Sequence, residues 1–363
     1  MKPSDTRIII MAGGTGGHIF PALAIARQLR EQGVAVSWLG TKKGMEARVV
    51  SEAGFPIDYI TVSGLRGKGL FGWLLAPFKL TLAIIQVLRV YVSRKPNVVV
   101  GFGGFVTGPG GFAAWLLHKP LVVHEQNAIP GMTNRILSHM SKTVLEAFKG
   151  SFPITTRAIH TGNPVRDDIV ALADPAERMN AHQGALRILL IGGSLGAQAL
   201  NETLPKAMAL LPEEGRPVVW HQAGANKSDA TQALYTSLQV EAKVAPFIDD
   251  MAEAYRWADV VVCRAGALTL AELCAAGLAS ILVPFPHAVD DHQTHNARHL
   301  VQAGAAILIP QTDLSADKLA AVLQELIEKG RKHIITMAQA ARELSMPNAS
   351  KQVADLCLEA IHG

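Results

Sequence analysis

Cysteine is scarce in this chain, and charged and aromatic residues are also few. The 363 residues include 3 cysteines, Cys263, Cys274 and Cys357, and none of them forms a C-x-x-C pair. Three separated cysteines do not suit a disulfide framework and are typical of reduced thiols in a cytosolic protein. Charged residues make up 18% of the chain and hydrophobic residues 49%. This composition predicts a globular chain long enough for two domains with separate cores.

The sequence also lacks the patterns of nucleic-acid binding and secretion. The net charge of +4 is mild, and no stretch alternates aromatic residues with Lys or Arg as single-strand binders do. Such a charge favours anionic ligands or a membrane surface as partners, and nucleic acid is not expected. The apolar run IIIMA near the start is too short for a signal peptide.

The common nucleotide and metal motifs are absent as well. No Lys follows a glycine loop as in a P-loop, and Ile19 and Val106 occupy the last position where G-x-G-x-x-G needs glycine. His124-Glu125 is not H-E-x-x-H, because Ala128 stands at the second His position. His292, His295 and His299 could share a helix face, but their spacing matches no zinc pattern. A nicotinamide or flavin enzyme is therefore disfavoured, and neither a cofactor nor a metal is expected.

What the chain does contain is one pattern repeated four times: a buried strand, a glycine loop and a helix. The strands are expected at Arg7–Ala12, Asn97–Val100, Arg187–Ile191 and Val260–Cys263. After the first of them, a helix is expected from about Phe20 to Gln32 and a strand at Val34–Leu39. Two units in each half predict an α/β fold of two Rossmann-like parallel-sheet domains. Ligands bind beyond the carboxyl ends of such strands, so facing domains would place all four loops around one cleft.

The last repeat, Val260–Gly277, carries the clearest chemistry. Its helix is expected to begin near Ala267, where main-chain N–H groups and the positive end of the helix dipole can bind a phosphate without a metal. Glu272 lies about one turn further on and could accept hydrogen bonds from a ribose diol. The alternative is an ordinary strand–helix unit with a surface glutamate.

The domain boundary is expected where Asn-Pro interrupts the pattern in GNPVR. The first domain then covers residues 1–163 and the second residues 164–346. A helical tail at residues 347–363 is expected to pack back on the first domain.

Residues 65–95 form an apolar stretch bordered by cations. It contains Trp73 and Phe78, but Pro77, Lys79 and Arg89 interrupt it, so a transmembrane helix is not expected. Such a pattern suits a helix lying on the surface of anionic lipid. The alternative is a core helix with solvated ends.

Eight short motifs occur in order along the chain. They are GGTGGH, SGLRGKG, HEQN, GNPVR, GGSLGA, FIDDM, CRAGALTLAE and DDHQTHNA. From about Ile8 to Ala360, the ordered set resembles a family of peptidoglycan glycosyltransferases. These enzymes add GlcNAc from UDP-GlcNAc to undecaprenyl-pyrophosphoryl-MurNAc-pentapeptide (lipid I), giving lipid II.

This resemblance implies a GT-B fold and inversion at the anomeric carbon, with no metal and no cofactor. It also implies a peripheral location on the cytoplasmic face of the bacterial inner membrane, with cell-wall synthesis proteins as possible partners. The substrate-binding residues that it implies are Thr15, Gly16, Gly17, Asn127, Arg166, Ser194, Ile248, Ala267, Leu268, Thr269, Leu270, Ala271, Glu272 and Gln293.

Within this set, the resemblance gives each residue type a role on the donor. Ser194 and the main chain at Ala267–Leu268 would hold the diphosphate, and the main chain of Ile248 would bind uracil. Glu272 would bind the ribose, and Arg166 would add positive charge.

The same resemblance assigns the sugar and the acceptor. Gln293 and Asn127 would bind GlcNAc. The glycine loops 13–17 and 103–111 would receive the pyrophosphate of the acceptor. One departure is the third loop, GGSLGAQ, where many relatives carry Gln and Arg in place of Leu195 and Gln198. A phosphate contact by those two side chains is therefore not assumed.

Catalysis requires a general base for the acceptor hydroxyl. His18 is the first candidate, because it closes the first glycine loop and imidazole titrates near neutral pH. Its alternative role is that of a helix cap that shapes the loop. Glu125 is the second candidate, and its alternative role is structural.

Two other functions fit the same pattern. One is a UDP-GlcNAc 2-epimerase, which would have no need of the amphipathic stretch at residues 65–95. The other is a non-catalytic protein that binds a nucleotide sugar. Fold analogy alone does not separate them from a transferase.

Overall fold

The computed structural model describes residues 6–62, 75–193 and 196–362. The chain divides into two compact units. Unit 1 comprises Met1–Val165 with Asn348–Gly363, and unit 2 comprises Arg166–Pro347. Trp73, Ser194 and Leu195, together with the motif SGLRGKG, lie outside the described residues.

Unit 1 is built on a parallel sheet. Its strands are β1 (Arg7–Ala12), β2 (Ala35–Gly40), β3 (Ile57–Tyr59), β4 (Val98–Gly103), β5 (Leu121–Glu125), β6 (Thr143–Glu146) and β7 (Ile159–His160). Its helices are α1 (Gly16–Glu31), α2 (Met45–Glu52), α3 (Ala76–Arg94), α4 (Thr107–Leu116), α5 (Met132–Leu137) and, from the end of the chain, Ala349–His362. Within the described residues the strand order is β3-β2-β1-β4-β5-β6-β7.

Alternation along β1 explains why both faces of this sheet are covered. Ile8 and Ile10 lie in one hydrophobic cluster with residues of α1 and of the helix Ala349–His362. Ile9 and Met11 lie in a second cluster with residues of α3 and α4. Because successive side chains of a strand point to opposite faces, an unbroken apolar run becomes a strand buried on both sides.

Unit 2 repeats the architecture. Its strands are β8 (Arg187–Ile191), β9 (Val218–Gln222), β10 (Ala242–Ala245), β11 (Val260–Cys263), β12 (Ala279–Leu282) and β13 (Ala306–Leu308). Its helices are α6 (Asp167–Val170), α7 (Pro175–Asn180), α8 (Gln198–Leu210), α9 (Ser228–Ser237), α10 (Met251–Trp257), α11 (Ala267–Ala276), α12 (His292–Gln302) and α13 (Ala316–Glu343). The helix Ala349–His362 of unit 1 is α14.

The two described sheets share the strand order of the Rossmann fold. In unit 2 the order is β10-β9-β8-β11-β12-β13, which places the first and fourth strands of the unit side by side, as β1 and β4 are in unit 1. All the described strand pairs are parallel. The prediction of two Rossmann-like parallel-sheet domains is confirmed. The four glycine loops follow β1, β4, β8 and β11, which flank the points where strand order reverses and where ligands bind in this fold.

Three predicted boundaries were wrong by a few residues. Helix α1 begins at Gly16, not near Phe20, so Gly16 and Gly17 form its first turn. Strand β2 covers Ala35–Gly40, and β4 runs on through Gly103. In each case the element includes glycines, whose low propensity for helix and strand led the sequence to predict a shorter element.

Helix α3 forms most of the described part of the stretch at residues 65–95. By length and composition it is apolar enough to cross a membrane. Ala83, Val87 and Tyr91, spaced four residues apart, are buried, and the Tyr91 hydroxyl donates to the carbonyl oxygen of Gly110 at 2.9 Å. Phe78 on the other face is 76% exposed. One face of the helix is therefore core and the other is apolar surface.

Candidate functional site

The two glycine loops of unit 1 pack against each other through their backbones. Gly104 has φ +85°, and a Cβ at this position would lie 2.2 Å from the carbonyl oxygen of Gly13. Gly103 has φ +106°, and a Cβ there would lie 2.9 Å from the His18 ring. Glycine is required at both positions, because a side chain would be strained and would separate the loops.

Glu46 holds the first glycine loop through hydrogen bonds to its carboxylate. Its side chain is buried, and Oε2 accepts a hydrogen bond from the Gly14 N–H at 3.2 Å. Oε1 accepts from the N–H and hydroxyl of Thr41 at 2.9 and 2.7 Å. Glu46 was not predicted from the sequence, since no local pattern connects positions 14 and 46. The N–H of Gly14 is therefore engaged by a carboxylate within a loop that was predicted to receive a pyrophosphate.

His18 lies in the first turn of α1 and is half-buried. Its main-chain N–H donates to the Thr15 carbonyl at 3.1 Å. Its side-chain Nδ1 lies 2.7 Å from Oε1 of Gln126, which is part of the HEQN motif. The imidazole is thus held by a residue 108 positions away along the chain.

Glu125, the second candidate base, is buried at the end of β5. Oε1 accepts hydrogen bonds from the N–H and the side-chain amide of Asn127 at 2.9 and 3.1 Å. Oε2 accepts from the Gly131 N–H at 3.0 Å and from the Asn134 amide at 2.9 Å. Four donors fill the acceptor positions of this carboxylate, and they fix the loop that follows β5.

The other predicted residues of unit 1 surround the start of α1 and the loop after β5. Thr15 and Gly17 are exposed and Gly16 is half-buried, so the N-terminal turn of α1 faces solvent. Asn127 is half-buried, and its carbonyl oxygen accepts from the Ser151 hydroxyl at 3.0 Å.

In unit 2, helix α11 begins at Ala267, as predicted. Gly266 is its N-cap residue, and the main-chain N–H groups of the first turn point out of this end of the helix. Leu268, Thr269 and Ala271 are partly exposed. Leu270 is buried, and its N–H donates to the Gly266 carbonyl at 3.0 Å. Leu270 can therefore contribute packing at this end but no donor.

Glu272 is partly buried beside Tyr255 of α10. The Tyr255 hydroxyl donates to Oε2 of Glu272 at 2.8 Å. Burial raises the pKa of Glu272 to about 7, because a carboxylate loses hydration there, while the Tyr255 hydrogen bond and the charge of Arg166 oppose that increase. Arg166 and Glu272, both predicted on sequence, are thus brought close enough to interact. Tyr255 was missed, since tyrosine on an amphipathic helix gives no distinct signal.

Gln293 lies in the first turn of α12 and reaches the loop after β12. Its Oε1 accepts from the Phe285 N–H at 2.9 Å. The same loop is held by Arg264, whose guanidinium donates to the carbonyls of Val283 at 3.0 Å and Pro284 at 3.2 Å. With Oε1 engaged in this way, the amide nitrogen of Gln293 is the group that could donate to a sugar hydroxyl.

Ile248 lies in the loop after β10. Its side chain is buried, and within the described residues neither its N–H nor its carbonyl makes a hydrogen bond. Such a main chain can pair with the edge of a base. Gln198 is engaged elsewhere, because its amide donates to Oε1 of Glu202 at 2.5 Å.

The third glycine loop is fixed by close backbone packing. Gly196 has φ +69°, and a Cβ there would lie 2.0 Å from the carbonyl oxygen of Ala223. Asn201 holds that carbonyl by donating its side-chain amide at 2.8 Å. Ser194, which was predicted to contact the diphosphate, lies outside the described residues.

No group of three or more His, Cys, Asp or Glu side chains is arranged for a metal ion in the parts of the chain that the structure describes. The histidines of α12 are included in that statement. The absence of a metal and of a cofactor stays a prediction.

Comparisons with known proteins place the chain in one family. The profile of the Glycosyltransferase family 28 N-terminal domain matches residues 8–146, and that of the Glycosyltransferase family 28 C-terminal domain matches residues 187–353. A relative from Marinobacter nauticus is 56% identical over 357 residues, covering 98% of each chain. It is named UDP-N-acetylglucosamine--N-acetylmuramyl-(pentapeptide) pyrophosphoryl-undecaprenol N-acetylglucosamine transferase.

Solved structures give the same result. The crystal structure of Acinetobacter baumannii MurG aligns with a TM-score of 0.86 and 42% identity, covering 98% of this chain and 99% of that one. The UDP-GlcNAc 2-epimerase of Neisseria meningitidis aligns with a TM-score of 0.67 at 15% identity, covering 98% and 100% of the two chains. The second similarity reflects the fold alone.

Proposed function

The chain belongs to glycosyltransferase family 28, and from that membership we propose that it transfers GlcNAc from UDP-GlcNAc to the 4-hydroxyl of MurNAc in lipid I. The products are lipid II and UDP, and the reaction is a step of peptidoglycan synthesis. The similarity to the N-acetylglucosamine transferase of Marinobacter nauticus extends over 98% of both chains, so it covers the glycine loops of both units. The epimerase similarity is limited to the fold, so the transferase is favoured.

The observation that carries the donor half of this proposal is the position of Glu272 one turn beyond the start of α11. A helix end without a side-chain cap suits a diphosphate, and a carboxylate beside it suits a ribose diol. We assign the diphosphate to the main chain at Ala267–Leu268 together with Ser194, and the ribose to Glu272. The main chain of Ile248 would bind uracil, and the amide nitrogen of Gln293 would donate to GlcNAc.

Arg166 would stabilise the leaving group. Its side chain is half-exposed and lies 3.8 Å from Asp168, so the ion pair is weak and solvated. As the bond from C1 to the UDP oxygen breaks, negative charge accumulates on the diphosphate. A guanidinium near that charge, with the dipole of α11, would stabilise the transition state.

His18 is the base that the geometry of unit 1 favours. The acceptor 4-hydroxyl attacks C1 of GlcNAc from the face opposite UDP, and its proton passes to an imidazole nitrogen of His18. Glu125 is less suited to that role, because its oxygens already accept four hydrogen bonds in a buried loop. A positioned base contributes roughly 10²–10⁴-fold to the rate.

The acceptor is a membrane lipid, and unit 1 has a surface that suits a bilayer. Helix α3 packs on α4, and α4 packs on α5. These three helices expose large apolar side chains, which include Phe78, Leu82, Trp115, Met132 and Ile136. Exposed cations lie on the same helices, at Lys79, Arg89 and Arg135. We call these residues of α3–α5 the apolar face.

Apolar side chains with neighbouring cations insert into the interface of anionic lipid without crossing it. Helix α3 is anchored by its buried side to the core of unit 1, which favours a peripheral attachment over a span. We therefore propose that the protein lies on the cytoplasmic face of the bacterial inner membrane.

The direct test is UDP release from UDP-GlcNAc with and without a lipid I analogue, with mass analysis of the acceptor and proton NMR of the nucleotide sugar, because a 2-epimer has the same mass as UDP-GlcNAc. The expected result is UDP release that depends on the analogue, with a mass increase of one GlcNAc on the acceptor. Conversion of UDP-GlcNAc without acceptor would identify an epimerase. Binding of UDP-GlcNAc with no turnover in either condition would identify a non-catalytic binding protein.

A further inference from the structure

A series of hydrogen bonds runs from the half-buried His18 into the buried interior of unit 1. Oε1 of Gln126 lies 2.7 Å from Nδ1 of His18. Nε2 of Gln126 lies 2.8 Å from the carbonyl oxygen of His124 and 3.1 Å from Nδ1 of the same residue. Nε2 of His124 lies 3.0 Å from the carbonyl oxygen of Gly162. These hydrogen bonds therefore link the start of α1 to the GNPVR segment.

The two carbonyl groups determine where the protons are. A carbonyl oxygen only accepts, so the nitrogen of the Gln126 amide must face the carbonyl of His124. The opposite orientation would bring two oxygens together. Likewise, the ring nitrogen of His124 that faces Gly162 must carry the proton, and its Nδ1 is then a lone pair that accepts from Gln126. Burial lowers the pKa of His124 to about 4, which keeps this ring neutral.

The orientation of Gln126 then determines the tautomer of His18. With its nitrogen fixed on His124, Gln126 presents only its oxygen to His18, and an amide oxygen accepts. Nδ1 of His18 must therefore carry the proton. In the neutral ring, Nε2 is left with the lone pair.

The side chains that make these hydrogen bonds are also held in place by their surroundings. Gln126 and His124 are 1% and 0% exposed. Phe102 packs on the His124 ring with centroids 5.2 Å apart, and Asn163 donates to the main-chain carbonyl of Gln126 at 3.0 Å. Burial and these contacts restrict movement of Gln126 and of the His124 ring that orients its amide.

We propose that Gln126 is the positioning residue for the base. Its amide, oriented by His124, holds His18 with the proton on Nδ1 and so reserves Nε2 for the proton of the acceptor hydroxyl. This inference rests on the proposed role of His18. When the reaction proceeds, Nε2 gains that proton, and the Nδ1–H bond to Gln126 stays in place and orients the imidazolium.

The test is nitrogen NMR of the histidine rings in the full-length protein without substrate, where the His18 signals are assigned by their loss in His18→Ala. The expected wild-type spectrum has a protonated Nδ1 and an unprotonated Nε2. In Gln126→Met, which preserves side-chain length but removes the amide, the pattern should shift towards Nε2–H, the form that a free neutral histidine prefers. A wild-type His18 with its proton on Nε2, or averaged between the nitrogens, would overturn the proposal.

Kinetics provide a second measurement. Gln126→Met should lower kcat about 10-fold or more while the KM for UDP-GlcNAc stays within about twofold. The matched control is Gln28→Met, the same substitution on α1 but away from the first glycine loop. This variant should change neither kcat nor KM. An unchanged kcat in Gln126→Met would refute the positioning role.

The two proposals fail in different ways. If wild-type protein releases no UDP with the lipid I analogue, the proposed function fails whatever the NMR result. If UDP release is normal but His18 is protonated on Nε2, only the role of Gln126 fails.

Discussion

The hydroxyl of Tyr255 donates a 2.8 Å hydrogen bond to Oε2 of Glu272. Tyr255 itself is fully buried on α10, and burial raises its pKa well above 10. The phenol therefore stays protonated at any physiological pH and can only donate to this carboxylate. It leaves the other oxygen of Glu272 for a ligand that offers hydroxyl groups.

Glu272→Ala should chiefly raise the KM for UDP-GlcNAc, by about 10- to 100-fold. At pH 8, where Glu272 with a pKa of about 7 is mostly ionised, its hydrogen bonds contribute roughly 1.5–3 kcal/mol, and the ribose would lose them in both the ground state and the transition state. The measurement is steady-state kinetics with the donor varied. Tyr255→Phe serves as a graded control, because it keeps the carboxylate and loses only its support, so a smaller increase is expected. An unchanged KM in Glu272→Ala would remove the residue from the donor site.

The raised pKa of Glu272 predicts how the stability of unit 2 depends on pH. Its pKa is about 7 in the folded chain and 4.5 without the fold, so the protonated form is favoured by folding. That contribution is complete below pH 4.5 and is lost as the pH rises through 7. Glu272→Gln removes this loss.

The variant should therefore gain stability relative to wild type between pH 5 and pH 8, by about 1–3 kcal/mol. Thermal unfolding of both proteins at the two pH values measures the difference. A difference that is the same at both pH values would contradict the raised pKa.

His18→Ala and Glu125→Gln should have opposite signatures. The first should lower kcat by about 10²-fold or more with the donor KM kept, because only proton transfer is lost. The second should lower Tm, because an amide nitrogen in place of one oxygen would leave buried donors of the loop without acceptors, at about 1–3 kcal/mol each. Kinetics and thermal unfolding of both variants are required. A drop below tenfold in His18→Ala would exclude it as the base. A large loss of kcat in Glu125→Gln at unchanged Tm would favour Glu125.

Gly196→Ala should strongly destabilise unit 2, by about 2 kcal/mol or more, because it combines a left-handed backbone with a collision at the Ala223 carbonyl. Gly215→Ala, also in unit 2, is the matched control: φ there is +79°, and a Cβ would meet no atom within 4 Å. Only the conformational cost of roughly 1 kcal/mol applies to that variant. Urea unfolding compares the two. Equal losses would show that the close approach at Gly196 does not matter.

Phe78→Glu should weaken binding to vesicles of anionic phospholipid by about 10-fold or more. A Phe side chain that inserts into lipid contributes roughly 1.5–3 kcal/mol, and the negative charge of Glu repels the anionic surface. The control is Ile154→Glu in the same unit, because Ile154 is 94% exposed but lies outside the apolar face. Sedimentation with vesicles measures binding, and circular dichroism checks the fold. If both variants bind as wild type does, the apolar face is not the attachment surface.

Much of the fold could be predicted because local sequence patterns determine it. The strands at Arg7–Ala12, Arg187–Ile191 and Val260–Cys263 begin and end where the apolar runs do. Alternating strands and helices with glycine loops between them leave a parallel sheet as the natural arrangement. The start of α1 was harder to predict, since Gly16 and Gly17 have poor helix propensity but form its first turn.

The sequence suggests candidate ligand-binding residues but not the residues that hold them in place. Glu272 and His18 occupy positions where loop chemistry gives a local reason to select them, whereas Arg166 was selected through the family resemblance. Glu46 and Gln126 act across 32 and 108 residues of sequence, and their signal is a distance that exists only after folding. A residue that orients another through a buried hydrogen bond looks on sequence like any polar residue beside a strand.

Helix α14 completes the hydrophobic cluster of unit 1 with Val353, Ala354 and Cys357, and Lys142 donates to the carbonyl of Ala360 at 2.8 Å. On the ribosome, the first 165 residues therefore emerge with α1 on this side of the sheet but with the place of α14 uncovered, and that place stays uncovered while unit 2 is synthesised. A product that stops before α14 would expose this apolar surface to proteases or chaperones. The first domain is thus completed by the last helix to be translated, after the second domain has been made.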